Sequence, residues 1–234
     1  MSENKKLRNW NENFEYFRAY DFFQLECSNR YPQMLNWHLS ELQNYENILE
    51  TGAGTGNLTY LLLKSNCKVT AIDINREALG ILEKKCGEFK NHLKIILGDV
   101  QKLESIIEPN FFDASSSMIV HPFPENNFDY LNGIYQSLKK GGKHVITSWS
   151  FVENIEEGVI DILESEILAK GFSNKYPKEW EQIKKSGSEF SKIILEREFS
   201  FNKLIMYLKK IGFKNINSFK SPYGKYAYSI TCQK

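Results

Sequence analysis

Between Asn47 and Trp149 the chain alternates short apolar runs with stretches whose apolar residues recur at helical spacing. Ile48–Glu50, Lys68–Asp73, Leu93–Leu97, Phe112–Val120 and His144–Trp149 read as strands. Leu58–Leu63, Glu77–Lys85 and Phe128–Leu138 read as the helices between them. Strand and helix in repeated succession predict βαβ units and therefore a parallel sheet. Gly141 and Gly142 are expected to close the third helix ahead of the strand at His144. Downstream, Asn202–Ile211 predicts a helix. Lys214–Phe219 and Tyr226–Thr231, split by Pro222 and Gly224, predict an antiparallel pair completing the sheet. The expected fold is a doubly wound α/β domain with a mostly parallel seven-stranded sheet, an antiparallel C-terminal strand and helical cap elements.

Two segments break the alternation. Trp10–Leu42 is a helical pattern dense in aromatics, among them Tyr16, Phe17, Tyr20, Phe22, Phe23 and Tyr31. Glu153–Glu198 predicts two or more helices after the fifth strand, with an apolar stripe through Ile155, Val159, Ile162, Leu163, Ile167 and Leu168. The expected organisation is a helical cap over 1–45, a cofactor-binding core over 46–150, a helical insert covering the substrate over 151–198, and a helix and hairpin over 199–234 that finish the core.

Bulk properties narrow the function. In 234 residues, 41% are hydrophobic and 25% charged, so the chain buries a core. Its 30 basic and 29 acidic residues give a net charge of +1, which supplies no global attraction to nucleic acid or anionic lipid. The polar start and the lack of an apolar run of ~18 residues predict a cytoplasmic protein without a membrane span. Cys27, Cys67, Cys86 and Cys232 lack C-x-x-C or zinc spacing and are expected to be buried thiols, with no metal.

The most informative stretch is Ile48–Thr59, a strand turning into a helix through Gly52, Ala53, Gly54, Thr55 and Gly56. Glycines there let a ligand approach the backbone without meeting a Cβ. A dinucleotide fingerprint wants glycine or alanine where this chain has Asn57, and Glu50 would repel a pyrophosphate. A ligand carrying an amine cation is favoured instead. Asp73 ends the second strand, where a carboxylate can accept both hydroxyls of a ribose. Asp99 follows the third strand, within reach of an adenine amino group. One such acid would pass as a helix cap; three at the ends of consecutive strands make a site.

These residues resemble the first motifs of the class I S-adenosylmethionine-dependent methyltransferases. The resemblance covers about Glu46 to Trp149. It implies that Gly52, Gly54 and Gly56 wrap the methionine part of S-adenosylmethionine, with Glu50 near its amine. Asp73 then holds the ribose, Ile74 flanks the adenine, and Asp99 and Val100 hold the ring. Ala53 and Ser116 are assigned to the same cofactor site. The product would be S-adenosylhomocysteine.

The expected reaction is in-line methyl transfer to a small-molecule acceptor. His121, following the fourth strand, is the candidate general base, and Tyr20 a candidate for orienting the acceptor. The stretch Glu50–Thr59 is also similar to the rRNA adenine dimethyltransferases, but Ser115-Ser116-Ser117-Met118-Ile119-Val120-His121-Pro122 stands where that subfamily carries its amine-gripping motif. A non-catalytic S-adenosylmethionine-binding module is the further alternative. The atom methylated and the oligomeric state are not legible.

Overall fold

The computed structural model describes residues 14–150, 155–171, 176–185 and 200–234. It opens with helix α1 (Phe14–Phe22), a π-helical turn (Phe23–Cys27) and α2 (Arg30–Leu42). The core follows as β1 (Asn47–Thr51), α3 (Asn57–Lys64), β2 (Lys68–Asp73), α4 (Arg76–Lys85), β3 (Leu93–Leu97), α5 (Leu103–Ile106), β4 (Phe112–Met118), α6 (Asn127–Ser137) and β5 (Leu138–Trp149). Helices α7 (Ile155–Ala169) and α8 (177–185) come next, then α9 (Phe201–Ile211), β6 (Lys214–Lys220) and β7 (Ala227–Gln233). Trp10 to Asn13 and the stretches 151–154, 172–175 and 186–199 of the expected cap and insert lie outside the described residues, as do the side chains of Phe14, Ile155 and Val159.

The seven strands form one sheet in the order β3-β2-β1-β4-β5-β7-β6. β1 to β5 are parallel, and β7 lies antiparallel between β5 and β6, as the C-terminal pattern predicted. Adjacent strand residues feed opposite faces. Ile48 and Val69 pack under α2, α3 and α4, while Leu49 and Ile72 pack under α5, α6 and α9. A third cluster joins α1 and the π-turn to α7 and α8 through Phe17, Phe23, Leu163, Ile167, Trp180 and Ile183. Glu166 of α7 stitches it to α2 by accepting from the Asn29 backbone at 3.0 Å and pairing with Arg30.

Two boundaries depart from expectation. β4 ends at Met118 rather than Val120, because Ile119 turns to φ +60°. Gly141 and Gly142 do not cap a helix. α6 stops at Ser137, and the pair sits inside a long β5 at a register shift against β4. Gly141 takes φ +78°, and a Cβ on Gly142 would stand 2.9 Å from the Lys139 carbonyl oxygen, so glycine is needed for an irregular strand.

A polar layer runs through the sheet centre. Ser115, Ser116 and Ser117 of β4 are fully buried and bond Nδ1 of His144, Nδ1 of His38 and the Tyr130 hydroxyl, at 2.8, 2.9 and 2.6 Å. Burial drives His38, His121 and His144 each down to a pKa of about 3, so all three sit in the core as neutral rings.

Candidate cofactor and acceptor site

Right-handed crossovers bring the carboxyl ends of β1, β2, β3 and β4 to one edge of the sheet, where open α/β folds bind ligands. β1 delivers its chain there into a turn with Gly52 at φ +68°, Gly54 at +54° and Gly56 at +79°. Backbone bonds brace it. Gly52 and Ala53 N–H groups both donate to the Ile72 carbonyl, at 2.8 and 3.0 Å, and Gly56 N–H donates to that of Ala53. The three glycines serve different ends. A Cβ on Gly52 would lie 2.4 Å from Val120 Cγ2 and one on Gly56 2.5 Å from Leu82 Cγ, so these two allow close packing behind the loop. A Cβ on Gly54 would meet nothing within 4 Å, and this is the stretch of bare backbone open to a ligand.

Asp73 is tied into that turn. Its Oδ2 accepts from Gly54 N–H and its Oδ1 from Asn75 N–H, each at 2.8 Å. Each oxygen keeps a second lone pair for an incoming hydroxyl. Glu50 lies beneath the loop, 2% exposed, accepting from the Thr59 hydroxyl at 2.6 Å. Burial lifts its pKa to about 8, with the Thr59 bond opposing the rise and Asp73 adding to it. Such a carboxyl waits for a cation. Ile74 is 49% exposed at the end of β2, and Val100 half-buried after β3, giving apolar surface beside the crevice. Asp99 caps the turn after β3 by accepting from Gln101 N–H at 3.0 Å. Open backbone, paired acids and a flanking apolar rim fit S-adenosylmethionine.

Other sequence-chosen residues fall elsewhere. Ser116 is fully buried with its hydroxyl on His38 of α2, inside the sheet rather than on the crevice wall. His121 is also fully buried, its ring 5.3 Å from that of Tyr130 and 6.4 Å from that of His144. That is core placement, reached after β4 ends early at Met118 and Ile119 turns to φ +60°. Tyr20 is half-buried on α1, stacked on Tyr16, with its phenol pKa raised by burial and electrostatically coupled to Asp21.

The residues that the sequence reading missed lock the N-terminal helices onto the loop. Asp21 Oδ1 accepts from the Thr55 hydroxyl at 2.6 Å and from Asn57 Nδ2 at 3.0 Å, and Lys85 donates to its Oδ2 at 3.0 Å. Asn57 Nδ2 also donates to the Tyr31 hydroxyl at 3.1 Å, and Lys85 bonds the Asn57 amide oxygen. Tyr31 and Tyr223, 9% and 6% exposed, both feel the phenol of Tyr20, so three tyrosines gather by the glycine loop. The polar Asn57 in place of a small residue was the available signal.

One consequence concerns pH. Glu50 is mostly protonated below about pH 8, so a bound cation must displace that proton. S-adenosylmethionine affinity is expected to rise from pH 6 to 8 by up to about tenfold per unit, and Glu50→Gln to flatten the rise. The comparison isolates Glu50 from the ligand's own amine, and calorimetry giving parallel curves for the two proteins would refute it.

Residues 48–142 match the family model described as a methyltransferase domain. A probable dimethyladenosine transferase of Dictyostelium discoideum is 40% identical over 67 residues, 28% of this chain and 21% of that protein. The chain thus spans about a fifth of that relative's length. An uncharacterised methyltransferase of Bacillus cytotoxicus is 31% identical over 147 residues, 59% of this chain and 66% of that one. Among solved structures, a SAM-dependent methyltransferase of Aquifex aeolicus superposes with a TM-score of 0.61 at 14% identity, covering 95% of this chain and 99% of its own. No helix among the described residues is long and apolar enough to cross a membrane, and no three His, Cys, Asp or Glu among them could hold a metal ion. Residues 48–142 therefore carry a methyltransferase domain, and the strand order and glycine loop with its acids give the chain the class I, Rossmann-like fold of the S-adenosylmethionine-dependent methyltransferases.

Proposed function

We propose that the chain transfers the methyl group of S-adenosylmethionine to a small-molecule acceptor seated between the glycine loop and Tyr20, Tyr31 and Tyr223. The observation that carries this reading is the tie from Asp21 to Thr55, Asn57 and Lys85, which holds the helix bearing Tyr20 against the glycine loop, with Gly54 left as open backbone. Bound cofactor supplies a methyl group on a sulfonium centre that leaves as a neutral thioether. Gly52, Ala53, Gly54 and Gly56 receive its amino-acid end over Glu50, Asp73 holds its ribose, and Ile74, Asp99 and Val100 flank its adenine. The residues 1–45 and 151–198 then act as covers, cross-linked at Arg30 and Glu166. The tyrosines exclude water and align the nucleophile with the S–CH3 bond. His121, enclosed by Tyr130 and His144, is better suited to supporting the floor than to taking the acceptor's proton.

A second reading, methylation of RNA adenine, draws support from the partial likeness to the Dictyostelium protein. Against it, Ser115, Ser116 and Ser117 are buried and committed to core partners, where an adenine-gripping motif would have to face outward. The test is formation of S-adenosylhomocysteine with panels of small amines, phenols and thiols and with structured RNA. Turnover is expected with a small acceptor, and Tyr20→Phe is expected to lower kcat/KM about tenfold, the worth of one hydrogen bond. Transfer to RNA alone would overturn the reading.

A further inference from the structure

Charge is segregated along this nearly neutral chain. Residues 138–149 and 200–234 hold ten of its 30 basic residues and none of its 29 acidic ones. These two segments are β5, α9, β6 and β7, which lie side by side at one end of the sheet. The fold therefore gathers a net +10 into one contiguous block and leaves the remainder acidic.

Two of the ten lysines are neutralised, Lys139 by Asp113 and Lys143 by Glu41. Lys140, Lys209, Lys210, Lys214, Lys220 and Lys225 are exposed and make no ion pair among the described residues. Among the described residues β6 is the outer strand and pairs with β7 alone. Lysines on an edge strand also guard against unwanted strand pairing. That guard explains Lys214 and Lys220, but not an acid-free α9, β5 and β7 behind them.

The block also carries ring faces. Phe219 of β6 is 42% exposed, with its ring 5.6 Å from that of Trp37, and Lys225 lies 5.2 Å over the ring of Tyr226. Phe219 is the exposed ring of the pair, next in sequence to Lys220, so β6 offers a cation for a phosphate and a ring for a base. An anionic membrane would want an apolar face turned outward, whereas α9 buries Leu204 and Leu208 inward. The carboxyl end of β6 leads through Ser221 and Tyr223 to the rim of the crevice, so the basic block and the glycine loop share an edge.

We propose that α9, β6 and the adjoining ends of β5 and β7 form a docking surface for single-stranded nucleic acid. This holds whatever acceptor the crevice takes.

The test is fluorescence anisotropy of the full chain with a labelled, unstructured 20-nucleotide RNA. Binding is expected at 50 mM salt and should weaken by roughly fiftyfold at 200 mM, as for four or so phosphate contacts on a single strand. The variant K209E/K214E/K220E should lose at least about tenfold in affinity and show a shallower salt slope, with K209Q/K214Q/K220Q intermediate. K90E/K94E, at the opposite end of the sheet, should bind as the parent does. Unchanged circular dichroism and S-adenosylmethionine affinity in each variant would exclude misfolding. Absence of binding at 50 mM salt would overturn the proposal. So would polyglutamate or anionic phosphatidylglycerol vesicles binding as tightly as RNA, or parent-like binding by the charge-reversed variant.

Discussion

Asp73→Ala is expected to weaken S-adenosylmethionine binding by about two to four orders of magnitude while the chain stays folded. Two hydrogen bonds donated by ribose hydroxyls to a carboxylate are worth about 1.5–3 kcal/mol each, because the acceptor is charged. The same substitution releases Gly54 N–H, which Asp73 Oδ2 holds at 2.8 Å, so the loop also loses its brace. Stability should suffer little, since burial already raises the Asp73 pKa and removing the group relieves that cost. Asp73→Asn separates the two effects: its amide oxygen keeps one acceptor, and binding should fall by less. Calorimetry with unaltered affinity in Asp73→Ala would remove the residue from the site.

The second large effect is acid lability. His38, His121 and His144 have folded pKa values of about 3 against 6.5 for the free side chain, burial being the leading cause in each. A depressed histidine pKa means that the unfolded chain takes up protons first, so stability is whole above pH 6.5 and drains as pH falls towards 3. At pH 4.5 each ring contributes a loss on the order of a few kcal/mol, and because His144 faces both His38 and His121 the three act together. That rivals the whole stability of an ordinary domain, about 5–15 kcal/mol. Cooperative loss of the near-ultraviolet circular dichroism signal is therefore expected between about pH 4 and 5. A chain still natively folded at pH 3.5 would contradict the neutral burial of these rings.

The sheet and its ligand edge were legible because hydrophobic periodicity is local. Ile48 and Leu49 feed opposite faces as alternation requires, and the glycine triplet announced its strained turn. The C-terminal pair was read correctly for the same reason. Gly141 and Gly142 misled because a glycine pair after a helical pattern looks like a cap, whereas here it accommodates an irregular strand whose register depends on β4. The burial of His121 and Ser116 was not legible for a related reason: a polar residue near the end of a strand reads as a site, and only the long-range placement of Tyr130, His144 and His38 reveals an internal partner or packing neighbour. Asp21, Tyr31 and Lys85 were invisible because their meeting at Asn57 joins segments that are far apart in the chain.

The π-helical turn at Phe23–Cys27, closed by Ser28 N–H on the Phe23 carbonyl at 2.9 Å, fixes how these groups meet. Relative to an α-helical turn it holds one surplus residue, and removing one from a helix swings everything before it by about 100°. Asp21 precedes the turn and Tyr31 follows it, yet both reach Asn57. The number of residues between them is thus an angular setting: the segment can exchange its side chains freely, but a single deletion would point the carboxylate away from the loop it secures.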